Sequence, residues 1–222
     1  EMVRTRCTEA DESIALSWFD AIFADPADNA GDAEHLASAA LGSFRLGRRR
    51  SGHEASINVY NPTRIADGWD ADRTLVDLVS DDHPFIIDSL LAALETMGVR
   101  VHVVTYAVVD VPRSDGVICG PVTTATGPSA ESIVHIEIER IDSTVGLSEL
   151  RRELADTMAD VAIAVADWLP MRKRSLELAT ELDALAASGR PDAAEIAEYA
   201  ALLRWMDAGA FTFIGYREYD VR

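Results

Sequence analysis

Three groups of side chains in this sequence have types and spacings that chemistry could use. The first is Asp81-Asp82-His83-Pro84-Phe85, in which two carboxylates and an imidazole adjoin a proline. Such a group could hold a cation or move a proton. Placed just ahead of an apolar run, its carboxylates read first as acceptors for a helix N-terminus. The second group is His135, Glu137 and Glu139, alternate residues that share one face of a strand. Strand geometry sets such neighbours about 7 Å apart, too far for one ion, so the row reads as a solvated sheet face. The third is Arg48-Arg49-Arg50, which reads as the solvated end of a helix. His102, near Tyr106 on a strand, reads as a satisfied interior or edge histidine. Trp168 and Trp205 sit on apolar helix faces and read as core.

Other chemistries lack their residues. No two of the thirteen glycines stand as Gly-x-Gly, so neither a dinucleotide fingerprint nor a phosphate-cradling loop is expected. No Gly-x-Ser-x-Gly or Cys–His arrangement offers a nucleophile. Lys173 is the sole lysine, in the exposed-looking run Arg172-Lys173-Arg174, which counts against lysine chemistry. Cys7 and Cys119 have neither metal-ligand nor redox spacing. The expectation is therefore no catalytic, cofactor-binding or metal residue in these 222 positions. A net charge of −18 argues against a nucleic-acid partner. No run of about 18 apolar residues predicts a membrane span, and Glu1-Met2-Val3-Arg4 does not open a signal peptide. A reduced cytoplasm is the expected location.

The elements that must position these residues are legible as hydrophobic periods. Leu75 to Val79 reads as a packed strand, and Ile87, Leu90, Leu91, Leu94 and Met97 recur at helical spacing after Pro84. Pro84 fits a first helical turn, and Gly98 a left-handed stop. Val99 to Val111 is a long strand. Pro112 to Ala130, rich in Pro, Gly, Ser and Thr, reads as a poorly ordered excursion. Ser132 to Ile141 alternates cleanly, Val134, Ile136 and Ile138 against His135, Glu137 and Glu139. Gly146 to Leu169 is a strong amphipathic helix that Pro170 should end or kink. A charged helix (171–187), a turn at Gly189-Arg190-Pro191, another helix (193–208) stopped by Gly209, and an aromatic strand (211–221) follow.

Three segments result: a helical preface with one short strand (1–69), an α+β domain (70–188), and a helix and strand (189–222) that close the sheet or lead onward. The order strand, helix, strand, strand, helix makes an antiparallel βαββαβ sheet with helices on one face, preceded by a small helical segment. Its fourth strand is assigned to Phe211–Tyr219, with Ile57–Tyr60 as the alternative.

Asp81 to Leu90, followed by Gly98-Val99-Arg100-Val101-His102, resembles the amino-terminal region of the large bacterial NAD-specific glutamate dehydrogenases. His135-Ile136-Glu137-Ile138-Glu139-Arg140, Ala200 to Met206 and Phe211 to Tyr219 resemble the family's following elements, so the likeness spans roughly residues 55–222. The resemblance implies an ACT-like fold, a unit that often binds amino acids and pairs sheets or helices between copies. It implies a non-catalytic regulatory and assembly region, with NAD used by the parent enzyme elsewhere in a longer chain. The implied partners are the remaining domains, further copies in a homo-oligomer, and an amino-acid effector. The alternative is a stand-alone ACT-like sensor or a regulatory segment of another metabolic enzyme. The resemblance makes Asp81, Asp82, His83, Pro84 and Phe85 the ligand or interface turn. Many ligand-binding ACT domains carry glycine where Phe85 stands, and Phe85 is expected to fill that place by packing.

Overall fold

The computed structural model describes residues 11–23, 33–125, 130–213, 215–217 and 219. The chain divides by internal packing into two units, one up to Ala159 and one from Asp160. In the first, helices α1 (Glu12–Ile22) and α2 (Ala33–Gly47) precede strands β1 (Ser56–Tyr60) and β2 (Thr74–Asp81). Helix α3 (Ile86–Thr96) leads to β3 (Val101–Asp110). Three two-residue strands follow, β4 (Arg113–Ser114), β5 (Val117–Ile118) and β6 (Thr123–Thr124), before β7 (Ala130–Ile138) and α4 (Thr144–Ala186). The boundary between the units falls within α4.

The sheet is antiparallel throughout, in the order β1-β2-β7-β3-β6. Its fourth full-length strand is β1, paired with β2 so that Val59 lies opposite Val76. The aromatic tail does not supply it: the described residues from Phe211 onward form no strand. This corrects the assignment to Phe211–Tyr219. A five-residue strand already lying before β2 reaches that edge through a short connection, which costs less chain entropy than a return across more than a hundred residues.

One sheet face is covered as the pattern predicts. Ile86, Leu90 and Leu94 of α3 and Leu150, Leu154 and Met158 of α4 pack on Val76, Leu78, Val134, Ile136 and Ile138. Gly98 takes the expected left-handed φ of 72° after α3. The other face is not solvated. The helical preface lies on it, with Ile14, Trp18, Leu41 and Phe44 against Val79, Ala107, Val109 and Ile133. A Cβ on Gly47 would sit 2.6 Å from the Trp18 ring, so glycine there lets α2 close on α1.

The excursion after β3 is also folded. Arg50 N–H donates to Gly116 O (2.9 Å), Ile118 N–H to Arg48 O (3.1 Å), and Val122 N–H to Ser17 Oγ (3.0 Å). Ile118 and Val122 are buried against the preface. Two apolar anchors and a buried arginine tie down a stretch whose composition alone reads as unstructured; residues 126–129 lie outside the described residues.

In the second unit α4 runs through Pro170 without ending. Helix α5 (Ala193–Trp205) and a π-turn (Met206–Ala210) follow, and Gly209 has φ 96°. Met171, Ser175, Ala179, Ile196 and Ala200 are buried among its described residues. Arg172 Nε donates to Asp207 Oδ1 at 2.7 Å. Trp205 is 59% exposed, which corrects its reading as core. Trp168 is half-buried beneath the Arg172 guanidinium, 5.0 Å from its ring centroid.

Candidate functional site

The Asp81–Phe85 turn links the end of β2 to α3, but its carboxylates do not cap the helix. Asp81 Oδ1 accepts from Arg50 Nη2 (3.2 Å), and its Oδ2 meets His53 Nδ1 at 2.6 Å. Asp82 Oδ1 accepts from Tyr106 Oη (3.0 Å) and Ser132 Oγ (2.7 Å), while Asp82 N–H donates to Ala130 O. Partners from the segment between α2 and β1 hold Asp81, strands β3 and β7 hold Asp82, and the helix N-terminus has no side-chain cap. Pro84 precedes the helix instead of entering its first turn, which begins at Ile86. His83 is exposed, with Nδ1 3.2 Å from Pro84 O.

Phe85 departs furthest from expectation. It is the N-cap residue of α3, with φ 73° and ψ 6°, and 47% of its surface is exposed. The ring therefore does not fill an interior position. A bulky residue in the left-handed region carries a backbone cost of about 1–2 kcal/mol. Ser89 N–H donates to Phe85 O at 3.0 Å, the first backbone bond of the helix. The turn thus keeps the backbone form that glycine adopts most readily while presenting an aromatic ring outward.

The second group lies in the interior. His135 and Glu137 are 2% and 5% exposed, beneath the preface; only Glu139, past the end of β7, is solvated. The alternation fixes which residues share a face, but the covering layer decides whether that face meets water. Asp77, opposite His135 in the β2–β7 register, is fully buried. Its Oδ1 lies 2.7 Å from His135 Nδ1, and its Oδ2 accepts from Tyr60 Oη at 3.0 Å. Glu137 Oε1 meets His35 Nε2 of α2 at 2.5 Å, and Oε2 accepts from Arg73 Nη1 at 2.6 Å. The His35 ring stands edge-on to Trp69, centroids 4.9 Å apart.

Electrostatics follow from this wiring. Burial works against a charged His135, but the hydrogen bond to Asp77 and the charges of Asp77 and Glu137 outweigh it and push its pKa up to about 9. Burial alone would raise Glu137, yet His135, His35 and Arg73 hold its carboxyl well below the usual range. Tyr60 is pushed far above its ordinary value by burial and by Asp77. Among the described residues, no three His, Cys, Asp or Glu side chains are placed to hold one metal ion.

The arginine run is no solvated helix end either. The Arg50 side chain is 3% exposed and pairs with Glu131 Oε2 at 3.1 Å, while Arg48 pairs with Asp11 at 2.7 Å. Arg113 grips Glu131 with two donors, Nε at 2.5 Å and Nη2 at 2.7 Å. Sequence reasoning did not single out Asp77, Glu131, Arg50 or Arg113 as a network. The available signal was an acidic residue at an inward strand position on each of β2 and β7.

The sheet order, with two helices on one face and β1 occupying, from the amino-terminal side, the sheet position that a βαββαβ unit gives its last strand, defines an ACT-like α+β domain. Residues 23–154 match the family described as glutamate dehydrogenase, ACT1 domain, and the chain belongs to that family. Similar proteins include the NAD-specific glutamate dehydrogenases of Halomonas elongata, 32% identical over 75% of this chain, and of Pseudomonas aeruginosa, 30% identical over 84%. That of Mycobacterium tuberculosis is 27% identical over 96%. The chain spans only 10–12% of the length of these relatives. No helix among the described residues is long and apolar enough to cross a membrane.

Proposed function

We propose that this chain is the non-catalytic amino-terminal regulatory and assembly region of a cytoplasmic NAD-dependent glutamate dehydrogenase. The parent reaction would convert L-glutamate, NAD and water to 2-oxoglutarate, ammonium and NADH, with NAD bound by other domains of a longer chain. Assembly is the part of this reading that the geometry supports best, and one observation carries it. β3 is paired by β6 only at Val109 and Asp110, so Val101 to Val108 present an open sheet edge among the described residues. That edge carries no lysine and no proline, the usual guards against strand addition. A second copy could extend the sheet there, which makes a homo-oligomer the expected state.

The Asp81–Phe85 turn is proposed as the point where an effector or a neighbouring domain is met. The outward Phe85 ring favours a contact surface over a closed amino-acid pocket. Light scattering of the chain over a range of concentrations tests assembly: dimers or larger species are expected, and Val108→Lys should shift the population towards monomer. A chain that stays monomeric at every concentration would remove the assembly reading. Calorimetry against the amino acids tests the effector, with no tight binding expected.

A further inference from the structure

We propose that the docking of the helical cover, α1 and α2, onto the sheet is coupled to one buried proton, held on His135 between Asp77 and Glu137. The cover meets the sheet partly through charge. On the apolar side of the contact, Trp18 and Phe44 pack on Val79 and Ile133. On the polar side, α2 crosses the cluster at two points. His35 reaches Glu137 Oε1. Gly42 lies so close that a Cβ there would collide with Tyr60 Oη and touch Asp77. α1 contributes through Phe23 at its C-cap, whose ring stands edge-on to the His135 imidazole with centroids 6.5 Å apart. Releasing the cover would open this cluster to water.

The groups that face His135 can be named element by element. β2 supplies Asp77, and β7 supplies Glu137, whose Oε1 lies 3.9 Å from His135 Nε2. β3 supplies the buried, uncharged Thr105 directly opposite. Through the carboxylates, β1 adds Tyr60, α2 adds His35, and the residue before β2 adds Arg73. Arg45 of α2 and Asp67 act at longer range on Tyr60. With the proton in place, the two carboxylates are balanced by His135 and Arg73. Without it, one buried negative charge loses its partner, and a buried uncompensated charge costs far more than a solvated one. The undocked state admits water and relieves that cost, so proton loss favours undocking.

The sign follows from linkage. His135 holds its proton to about pH 9 in the docked state, against an ordinary value of 6.5. The stabilisation is fully present below pH 6.5 and is lost as pH rises through 9. Across that window the docking equilibrium should weaken on the order of a hundredfold. Glu137 bounds the acid side in the opposite sense, since its depressed carboxyl contributes above the usual carboxylate range and its contribution fades as pH falls. His135 Nε2 has no hydrogen-bond partner and lies 3.9 Å from Glu137 Oε1, so it meets that carboxylate through charge alone.

The test uses the 222-residue chain. NMR of the five histidine ring protons, with the His135 signal assigned by its loss in His135→Gln, should place its transition near pH 9. Hydrogen exchange corrected for intrinsic rates should show residues 12–22 and 33–47 losing protection about a hundredfold between pH 6.5 and 9.5. Residues 86–96, on the far face, should change much less. In His135→Gln that difference between the faces should be independent of pH. Tyr60→Phe, which removes a donor from Asp77, should move the transition upward in a chain that keeps the histidine. The proposal is overturned if His135 titrates near 6.5. It is also overturned if α1 and α2 keep their protection to pH 9.5, if α3 loses protection in parallel with them, or if His135→Gln leaves the pH dependence intact.

Discussion

At the scale of single residues, Phe85 and Glu137 carry the sharpest reversals. A buried Phe85 would make Phe85→Gly costly. The observed ring is half-exposed on a left-handed backbone. Glycine would relieve about 1–2 kcal/mol of strain and raise the entropy of the unfolded chain by about 0.4–1 kcal/mol. Urea unfolding should therefore place Phe85→Gly within about 1 kcal/mol of the parent; a loss of several kcal/mol would mean that the ring is packed. Glu137 runs the other way. On a solvated face Glu137→Ala would be harmless. Here it would strip Arg73, His35 and His135 of their shared carboxylate beneath the cover. The expected loss is about 3–5 kcal/mol, comparable with about 2–5 kcal/mol for Ile136→Ala on the opposite face. A near-neutral Glu137→Ala in the same unfolding assay would restore the solvated-face reading.

At the scale of elements, the hairpin β4–β5 shows how a polar stretch becomes structure. Glu131 is buried at the start of β7, and Arg113 and Arg50 both reach it. Arg113 also donates to Gly47 O (2.9 Å) and Gly116 O (3.0 Å), so one guanidinium joins α2, the hairpin and the sheet. Limited trypsin digestion should spare Arg113 in the parent chain. Arg113→Ala should cost about 3 kcal/mol, because breaking a buried pair leaves a charge uncompensated, and should open the 113–118 stretch to elastase. First cleavage within 113–118 of the unaltered chain would show that the hairpin is loosely held.

For the whole molecule, the chain carries a single lysine and no Gly-x-Gly, and it spans a tenth or so of its relatives. The purified chain supplied with glutamate and NAD should form no NADH above background. Measurable turnover, abolished by a substitution within these residues, would contradict the non-catalytic reading. Assembly belongs to this scale as well, because a strand edge is completed only by another chain or segment.

What the sequence determined by itself was the periodicity set by neighbours along the chain. The period of three to four residues placed α3 and α4, and Gly98 stopped α3 with the left-handed turn its composition allows. The period of two sorted β7 into Val134, Ile136 and Ile138 on one face and His135 and Glu137 on the other. The chain order of those elements, with the motifs at Asp81–Leu90 and His135–Arg140, was enough to reach the family. Only the tertiary structure decided what lies against each face. Alternation reports that two faces differ, and an acidic face looks the same in sequence whether water or a helix bearing His35 covers it. The same limit applied to the edge strand, because the apolar pattern favoured the tail over β1 and only the closed sheet shows which one pairs with β2. It applied to Asp81 and Asp82, whose partners Arg50, His53, Tyr106 and Ser132 lie between 24 and 50 residues away. Local periodicity carries no information about contacts at that separation; burial and charge balance across the closed fold select them.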